Sequence, residues 1–339
     1  MAATELFGKD LICTQDWSTA ELERVLRLAV EMKANRFSEQ YTDLLQHKTF
    51  MMFFYNPSVR TRQSFEAAAT ELGAHAQFLE PSSMRLKTKS GAGETIEDAA
   101  RVMSRYACGL GIRILEDKVE AYGDGDELLR EYARHASIPV INMADDRYHP
   151  CQGLADVMGL RQAFGSDDLR GKKLLQVWGH GALARSWCSV QESLLIQSRL
   201  GMDITLAHPR GYDLDPEVIE QVRSNCAEAG SAFEILHDPT AGYAGAHVVY
   251  SRNWMSSNAY DRGFQKENEV RMAMKQDDWI CDRERMAMTD QAFFIHPMPV
   301  DRGHEVTDEV ASGERSIIYD VAENRLHVQK AVMALTMGG

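Results

Sequence analysis

Apolar and polar residues alternate along the chain in two patterns, which are short apolar runs and longer stretches with helical spacing. The run at 49–55 is apolar almost throughout, which predicts a buried strand, and it breaks at Asn56-Pro57. In the next stretch apolar residues recur three and four positions apart until Gly73, which is typical of an amphipathic helix and its end. The pattern therefore predicts a buried strand that is followed directly by a helix.

The same order of strand and helix returns in both halves of the chain. Further strands are predicted at 76–80, 108–114, 138–143, 173–178, 203–207, 233–236, 248–250 and 293–296. Helices are predicted from Ser18, where Glu21 completes a capping box, from Thr95, and over 149–160, 182–200, 216–229 and 322–337. Such alternation favours mostly parallel α/β sheets, whose ligands gather at the carboxyl ends of the strands.

The length and charge of the chain narrow the classes of protein to consider. A chain of 339 residues is expected to form two domains of roughly 150 residues each, and we place the boundary near residue 150. Its 37 basic and 50 acidic residues give a formal net charge of -13, which argues against nucleic acid or an anionic membrane as the main partner. An anionic ligand must then be held by a local basic pocket.

Cysteine usage and hydropathy point to a cytoplasmic protein. The six cysteines are scattered, with no zinc-type spacing, and the sequence shows no secretory signal pattern. No apolar run approaches the ~20 residues that a membrane-spanning helix requires. We expect reduced thiols, no membrane span and no metal site.

The corner between the first strand and its helix has the composition of a phosphate site. Ser58, Val59, Arg60, Thr61 and Arg62 stand where the strand ends and the helix begins. A helix N-terminus presents unpaired N–H groups and partial positive charge, and hydroxyls and guanidiniums add further donors for a dianion. The alternative is that Ser58 only caps the helix while the arginines are solvated.

Three more motifs fall where strands are expected to end. Arg113 closes an apolar run, His149-Pro150-Cys151-Gln152 opens a helix, and His296-Pro297-Met298-Pro299 closes another strand. Taken singly, Arg113 could be a buried ion-pair partner and His149 a structural residue. Because the carboxyl ends of parallel strands meet at one edge of a sheet, their joint occurrence favours a shared site.

One motif favours a different class of protein. Gly179-His180-Gly181-Ala182-Leu183-Ala184 matches the G-x-G-x-x-A pattern of dinucleotide-binding proteins, between a predicted strand and a predicted helix. The following strand, however, ends in Ala207-His208-Pro209, where an acidic residue should bind the ribose. An NAD-dependent dehydrogenase is therefore kept only as an alternative.

These motifs resemble, in order and spacing, those of the aspartate/ornithine carbamoyltransferase family. The resemblance includes Glu323-Asn324-Arg325-Leu326 near the C-terminus and covers essentially the whole chain. Within the family it is most similar to the branch that acts on N-acylated ornithine, through the segments 14–18, 142–143, 149–152 and 322–330. It implies two doubly wound α/β domains with mainly parallel sheets, 1–150 for carbamoyl phosphate and 151–321 for the acceptor, with the C-terminal helix 322–339 joining the first.

The resemblance also implies an activity, which is transfer of a carbamoyl group from carbamoyl phosphate to an amine without any cofactor, as in arginine biosynthesis. Phosphate would be bound by Ser58, Val59, Arg60 and Thr61, and the carbonyl oxygen by Thr61, Arg113, His149 and Arg325. Gln152 and the main-chain carbonyls around Pro297 and Met298 would hold the carbamoyl NH2. The catalytic set predicted in this way is Arg60, Thr61, Arg113 and His149.

The loop at 81–93 is expected to act between subunits. It lacks periodicity and is rich in glycine, serine and cations, which suits a lid over an anionic ligand. The resemblance implies a homotrimer in which Ser83, Lys87 or Lys89 of this loop reaches the neighbouring subunit's site.

The acceptor site departs from the acyl-ornithine pattern. Gly179 to Arg185 stands in place of a proline-rich loop, Pro297 in place of a cysteine and Glu305 in place of a lysine. Arg252 could hold an acceptor carboxylate, while Asp301, Glu305 or Asp145 could orient the amine. The predicted acceptor set is Lys87, Lys89, Asp145, Arg252, Trp254 and Glu305.

Several functions remain open at this point. An N-acetylornithine-type acceptor is favoured, and ornithine, aspartate or another amine is the near alternative. A ligand-binding homologue without catalysis belongs to a different class of function. The sequence does not decide whether the second domain contains the knotted loop of the acyl-ornithine branch.

Overall fold

A computed structural model describes residues 5–81, 93–181, 183–274 and 279–338 of the chain. Its strands are β1 (Thr49–Phe54), β2 (His75–Leu79), β3 (Gly109–Arg113), β4 (Val140–Ala144), β5 (Lys173–Trp178), β6 (Asp203–Ala207), β7 (Phe233–Leu236), β8 (Val248–Arg252) and β9 (Phe293–Phe294). They form two sheets, in the orders β2-β1-β3-β4 and β7-β6-β5-β8-β9, and the strand pairs within both are parallel. The predicted class, α/β with mainly parallel sheets, is confirmed.

Helices alternate with these strands. They are α1 (Thr19–Ala34), α2 (Glu39–Thr42), α3 (Val59–Glu71), α4 (Ile96–Met103), α5 (Asp124–His135), α6 (Pro150–Phe164), α7 (Cys188–Arg199), α8 (Pro216–Ala229), α9 (Ala259–Arg262), α10 (Phe264–Met272), α11 (Arg283–Met286), α12 (Asp308–Ala311) and α13 (Ile318–Met337). The capping box predicted at Ser18 and Glu21 is present at the start of α1. Within the four described ranges, no helix combines the length and the apolar character needed to cross a bilayer.

The chain divides into two compact units, and each contains one of the sheets. Unit 1 comprises Met1–Leu154 with Glu323–Gly339, and unit 2 comprises Ala155–Ala322. Helix α6 begins in unit 1 and ends in unit 2, whereas α13 begins in unit 2 and ends in unit 1.

Unit 1 has helices on both faces of its sheet. Successive side chains of a strand point to opposite faces, so Phe50 and Phe53 of β1 lie on different sides. Phe50 stacks on Phe65 of α3 with ring centroids 5.7 Å apart, while Phe53 meets Tyr132 of α5 at 5.9 Å. Because both rings of β1 are fully buried, the strand is the centre of two apolar layers.

Unit 2 is organised around β5. This strand pairs with β6 on one side and β8 on the other, and its residues from Leu174 to Trp178 are buried. Helices α7 and α8 pack against each other beside this sheet. Its carboxyl end carries the glycine motif at 179–184, and the neighbouring end of β8 carries Arg252.

Helix α7 begins later than predicted, at Cys188 in place of residue 182. The main chain before it bonds to distant partners instead of to its own next turn. The Ala184 N–H donates to Asn268 Oδ1 at 2.6 Å, and the Arg185 carbonyl accepts from the Met255 N–H at 3.0 Å. These contacts hold the segment open, because they use the groups that a helix would bond internally.

The boundaries of α13 and β9 are among the others that differ from the prediction. Helix α13 begins at Ile318, four residues before the predicted start at 322, because Ile318 and Val321 are buried and extend its apolar face. Strand β9 consists only of Phe293–Phe294, and the predicted continuation to His296 leaves the ladder after Ile295 bonds to Val249.

Candidate functional site

Three of the sequence motifs lie at one edge of the sheet in unit 1. Strand β1 ends beside β3 with Phe54 opposite Arg113, and β3 ends beside β4 with Arg113 opposite Ala144. The register shifts here, because Ile112 lies opposite Asn142 and Arg113 opposite Ala144, so β4 has one extra residue at this end. The phosphate motif after β1, Arg113 and the His149 loop after β4 are therefore neighbours.

The phosphate motif forms the first turn of α3. Ser58 is the N-cap in extended conformation, and its hydroxyl accepts a hydrogen bond from the Thr61 N–H at 3.3 Å. Val59 is 78% exposed, which leaves the helix N-terminus open, and Arg60 is half-buried beside it. The turn thus offers main-chain N–H groups and a guanidinium for an anion.

Arg62, the second guanidinium of the motif, has other partners. Its Nε donates to Glu66 Oε1 one turn further along α3, at 2.8 Å. Its guanidinium also lies over the Phe78 ring, 4.0 Å from the centroid. Arg62 therefore packs along α3 and against Phe78, while Arg60 lies half-buried at the helix N-terminus.

A cluster of cationic and polar side chains continues the site. Arg325 of α13 donates from Nη2 to Thr61 Oγ1 at 2.9 Å, and both residues are buried. Burial first, and then the charges of Arg325 and Arg113, lower the pKa of His149 well below its usual value. Gln152 lies in the first turn of α6, fully buried, and its main-chain N–H donates to the His149 carbonyl at 2.9 Å. We call Thr61, Arg113, His149 and Arg325 the carbonyl cluster.

Asp145 stabilises the loop that precedes His149. Its carboxylate is fully buried and accepts hydrogen bonds from the main-chain N–H groups of Arg147 and Tyr148. Asn142 Nδ2 donates to its other oxygen at 2.8 Å. These bonds stabilise the loop that precedes His149, and the predicted contact of Asp145 with an acceptor stays a prediction.

In unit 2, Glu305 is the centre of a second polar network. Its carboxylate is fully buried and accepts from Arg252 Nη1 at 3.1 Å and from His296 Nε2 at 2.8 Å. The N–H groups of Asn253 and Asp301 donate to it at 2.7 and 2.9 Å. Arg252 is largely buried as well, so neither member of this ion pair is presented openly to an acceptor.

Pro297 and Met298 follow β9 and are connected to the same network. The Met298 N–H donates to His296 Nδ1 at 2.8 Å, and Arg252 Nη1 reaches the Pro299 carbonyl at 3.4 Å. The predicted residues Arg252, Glu305, Pro297 and Met298 are therefore brought together in unit 2.

Trp254 and Arg271 have structural positions that the sequence did not indicate. Trp254 is fully buried, and its Nε1–H donates to the Tyr212 carbonyl at 2.8 Å, so its ring is part of the core. Arg271 is also fully buried, and it donates to the carbonyls of Gly181 and Trp254 and to Asn253 Oδ1. It lies in a polar helix, α10, where no local pattern distinguishes it from a solvated arginine.

The glycine motif is explained by packing. A Cβ at Gly181 would overlap Asn253 Nδ2, and one at Gly179 would come within 3.0 Å of Glu305 Cα. The helix N-terminus that a dinucleotide site needs is displaced to Cys188. The glycines of this motif therefore allow a close approach between loops.

Among the described residues, no group of three or more His, Cys, Asp or Glu side chains is placed to hold a metal ion.

The predicted intersubunit residues Ser83, Lys87 and Lys89 lie outside the residues that the structure describes.

Family comparisons match both halves of the chain. Residues 9–162 match the carbamoyl-phosphate-binding domain of aspartate/ornithine carbamoyltransferase. Residues 175–336 match the aspartate/ornithine-binding domain of the same family. Together the two matches include every described residue of the carbonyl cluster and of the Glu305 network.

Relatives with two different acceptors in their names are about equally similar. The N-acetylornithine carbamoyltransferase of Xanthomonas campestris pv. campestris is 36% identical over 340 residues, covering 97% of this chain and 98% of that protein. The ornithine carbamoyltransferase of Thermococcus kodakarensis is 38% identical over 336 residues, covering 98% of each. Overall identity therefore does not separate the two acceptors.

Solved structures agree with the sequence matches. Acetylornithine transcarbamylase complexed with acetylcitrulline has a TM-score of 0.90 and 36% identity, covering 98% of this chain and 100% of that one. A mutant of N-acetyl-L-ornithine transcarbamylase complexed with carbamyl phosphate and N-succinyl-L-norvaline gives 0.89 at 36% identity, covering 96% and 99%. With both domain matches and relatives above 30% identity along nearly its whole length, the chain belongs to the aspartate/ornithine carbamoyltransferase family.

Proposed function

We propose that this enzyme transfers the carbamoyl group of carbamoyl phosphate to the amine of a small amino-acid-like acceptor and releases phosphate. The observation that carries the proposal is the carbonyl cluster, where the ends of β1, β3 and β4 bring Thr61, Arg113 and His149 together with Arg325. Beside it, the open N-terminus of α3 and Arg60 suit a dianionic phosphate.

The cluster suits a neutral carbonyl that becomes negatively charged. Two guanidiniums and the hydroxyl of Thr61 can donate to the carbonyl oxygen, and a neutral His149 adds an N–H donor. Since burial and the two arginines keep the pKa of His149 low, the ring is neutral near pH 7 and adds no charge repulsion there. The site can therefore stabilise the negative charge that develops on the carbonyl oxygen.

The chemical step balances without any further reactant. The acceptor nitrogen attacks the carbamoyl carbon, a C–N bond forms, and the bond from that carbon to the phosphate oxygen breaks. Phosphate leaves with the electron pair, and its oxygen takes the proton that the amine loses. Positioning and oxyanion stabilisation would supply most of the rate.

We assign the phosphate-binding role to Ser58, Val59, Arg60 and Thr61, and the carbamoyl NH2 to Gln152 and the carbonyls of Pro297 and Met298. On this assignment 1–150 with the C-terminal helix is the donor domain and 151–321 the acceptor domain. We also propose a homotrimer in the cytoplasm, in which the 81–93 loop serves a neighbouring subunit.

The acceptor favoured here is of the N-acetylornithine type, because the solved structures similar to this chain bind such ligands. Ornithine remains the second candidate, since the ornithine enzyme of T. kodakarensis is 38% identical to this chain. Arg252 and Glu305 satisfy each other, so they do not select an acceptor by a free charge.

The deciding experiment is phosphate release from carbamoyl phosphate across a panel of amines. The panel contains N-acetylornithine, N-succinylornithine, ornithine, aspartate and putrescine, and each ureido product is measured in parallel. Release matched by one ureido product would establish both the reaction and the acceptor. If carbamoyl phosphate raised thermal stability while no amine stimulated release, the non-catalytic homologue would replace the proposed enzyme.

A further inference from the structure

Glu305 occupies a position that direct contact with an acceptor does not explain. Its carboxylate receives four hydrogen bonds, from His296, Arg252 and the N–H groups of Asn253 and Asp301. Together they connect the end of β8 to the segment that follows β9. A carboxylate with four donors has no capacity left to orient a substrate amine.

The charge state of Glu305 agrees with its four hydrogen bonds. Burial alone would raise the pKa of the carboxyl, but the charge of Arg252 and the hydrogen bonds from His296 and the Asp301 N–H outweigh it and hold the pKa below its usual value. Glu305 is therefore ionised throughout the physiological range, and it accepts from all four donors continuously.

His296 transmits the position of Glu305 to the main chain. Its Nδ1 accepts from the Met298 N–H at 2.8 Å, so Nδ1 carries no proton, and the ring proton lies on Nε2, which donates to Glu305. Both ring nitrogens are thus occupied, and the two contacts define one neutral tautomer.

Met298 needs such support, because its backbone has φ of 54°, in the left-handed region that residues with a side chain rarely adopt. The bond from its N–H to His296 holds it there, while Arg252 contacts the Pro299 carbonyl from the other side. The orientation of the 297 and 298 carbonyls therefore depends on the His296 and Glu305 side chains.

We propose that Glu305 is a positioning residue: it holds His296, which holds the Met298 main chain so that the carbonyls of Pro297 and Met298 can receive the carbamoyl NH2. The inference rests on the proposed function, which assigns those carbonyls to the donor. It replaces the predicted role of Glu305 as a ligand of the acceptor.

The test compares two ligands that differ by the carbamoyl group. Inorganic phosphate can use only the phosphate-binding residues, whereas carbamoyl phosphate also uses the carbonyls. Dissociation constants for both are measured on wild type and on Glu305→Gln, which keeps the side chain's size but faces its N–H donors with an amide. We expect Glu305→Gln to weaken carbamoyl phosphate about tenfold, the loss of roughly one net hydrogen bond, and to leave phosphate unchanged.

Glu267→Gln is the matched control. Glu267 is another fully buried carboxylate of unit 2, and it accepts from the Ser256 N–H, the Ser256 hydroxyl and Arg262. Its amide variant should lower thermal stability, as Glu305→Gln does, yet keep the preference for carbamoyl phosphate. Equal weakening of both ligands by Glu305→Gln would show a merely structural role and overturn the inference.

A pair of histidine variants tests the inference even where Glu305→Gln fails to fold. Asparagine at 296 can still accept from the N–H two residues on, as in an Asx turn, whereas leucine cannot. We expect carbamoyl phosphate affinity to fall in the order wild type, His296→Asn, His296→Leu, with phosphate affinity constant; equal affinities in the two variants would contradict it. A wild type that does not prefer carbamoyl phosphate to phosphate would instead refute the proposed function itself.

Discussion

At the scale of single residues, the phosphate motif places two arginines in different surroundings. Arg60 and Arg62 stand two positions apart on the first turn of α3. Arg62 is held by Glu66 and the Phe78 ring, whereas Arg60 lies beside the open helix N-terminus. Two arginines of one motif thus lie in different surroundings, and on the proposed function only Arg60 contacts phosphate.

Replacement of these arginines should separate the roles. Arg60→Ala is expected to lower kcat/KM for carbamoyl phosphate by about 10³-fold, because a charged donor to the transferring phosphate is lost. Arg62→Ala, the matched control, should change kcat/KM by less than about threefold and instead lower thermal stability slightly. Steady-state kinetics and thermal melts of both variants measure these effects. Full activity in Arg60→Ala would remove Arg60 from the phosphate site.

The lowered pKa of His149 predicts how stability and rate depend on pH. Burial and the charges of Arg325 and Arg113 lower its folded pKa below the ordinary 6.5, so the unfolded chain takes up the proton first as pH falls. The stability that neutral His149 contributes is therefore complete above about pH 6.5 and declines below it. The rate should show no inflection from this ring between pH 6.5 and 8.

The kinetic check on His149 is a profile of kcat/KM for carbamoyl phosphate across that range. His149→Ala should lower kcat about 10²-fold at every pH, the typical effect of removing one oxyanion donor. His149→Asn, which keeps an N–H donor, should recover part of the loss. A wild-type inflection near 6.5 that is absent from both variants would show that the ring titrates there and is charged in part of this range.

At the scale of elements, the apolar pattern predicted the central strands β1, β3, β4, β5, β6 and β8 because nearly all of their residues are buried. Strands 173–178, 203–207 and 233–236 have the observed bounds. The start of α7 could not be predicted, since residues 184 and 185 bond to Asn268 and Met255, which are about 70 to 80 positions away in sequence. Local patterns contain no information about such partners.

The same limit applies to the site. Strand ends were enough to predict that Arg113 and His149 meet, because parallel strands share one edge. The burial of Glu305, Asp145 and Trp254 was not predictable, because each is satisfied by residues from other loops. Arg271 was missed for the same reason, since its partners come from three separate segments.

The close approach of two loops in unit 2 gives a prediction at this scale. Gly181→Ala should impair acceptor binding, because the added methyl overlaps Asn253 Nδ2 and displaces the loop that Arg271 ties to Gly181. We expect a rise in KM for the acceptor of about tenfold with a smaller change for carbamoyl phosphate.

A double-mutant cycle distinguishes overlap from a general loss of flexibility. Asn253→Ala removes the atom that the methyl would meet, so Gly181→Ala should cost much less in that background. The readouts are thermal stability and the KM for the acceptor. Additive effects of the two substitutions would mean that the overlap with Asn253 is not the cause.

At the scale of the whole molecule, the proposed homotrimer would combine residues of two chains in each site. The donor-binding turn and the Glu305 network each lie within described parts of the chain, but the proposed trans-acting residues Ser83, Lys87 and Lys89 do not. If each site combines Arg60 of one subunit with the 81–93 loop of its neighbour, then activity belongs to the assembly. Closed rings of identical subunits routinely build shared sites in this way.

Subunit mixing tests this directly. Arg60→Ala and a triple variant with alanine at Ser83, Lys87 and Lys89 should each be nearly inactive as homotrimers. Co-expression should restore activity, because some sites in a mixed trimer combine an intact Arg60 from one subunit with an intact loop from the next. If the loop serves its own subunit, every site in the mixture contains one defect and activity stays at the level of the parents.

The control for mixing uses two substitutions in the same unit of the chain, which leave every site defective whether the 81–93 loop acts in its own subunit or in the neighbouring one. Arg60→Ala and His149→Ala belong to the same unit, and every subunit of the mixture carries one of them, so no site has both residues intact. Co-expression of these two variants should restore nothing. Light scattering of each sample should give three times the 38.1 kDa mass of the chain. Activity restored by the loop mixture but not by the Arg60→Ala and His149→Ala mixture would establish a site built from two subunits. Activity restored by neither mixture would show that the loop acts in its own subunit.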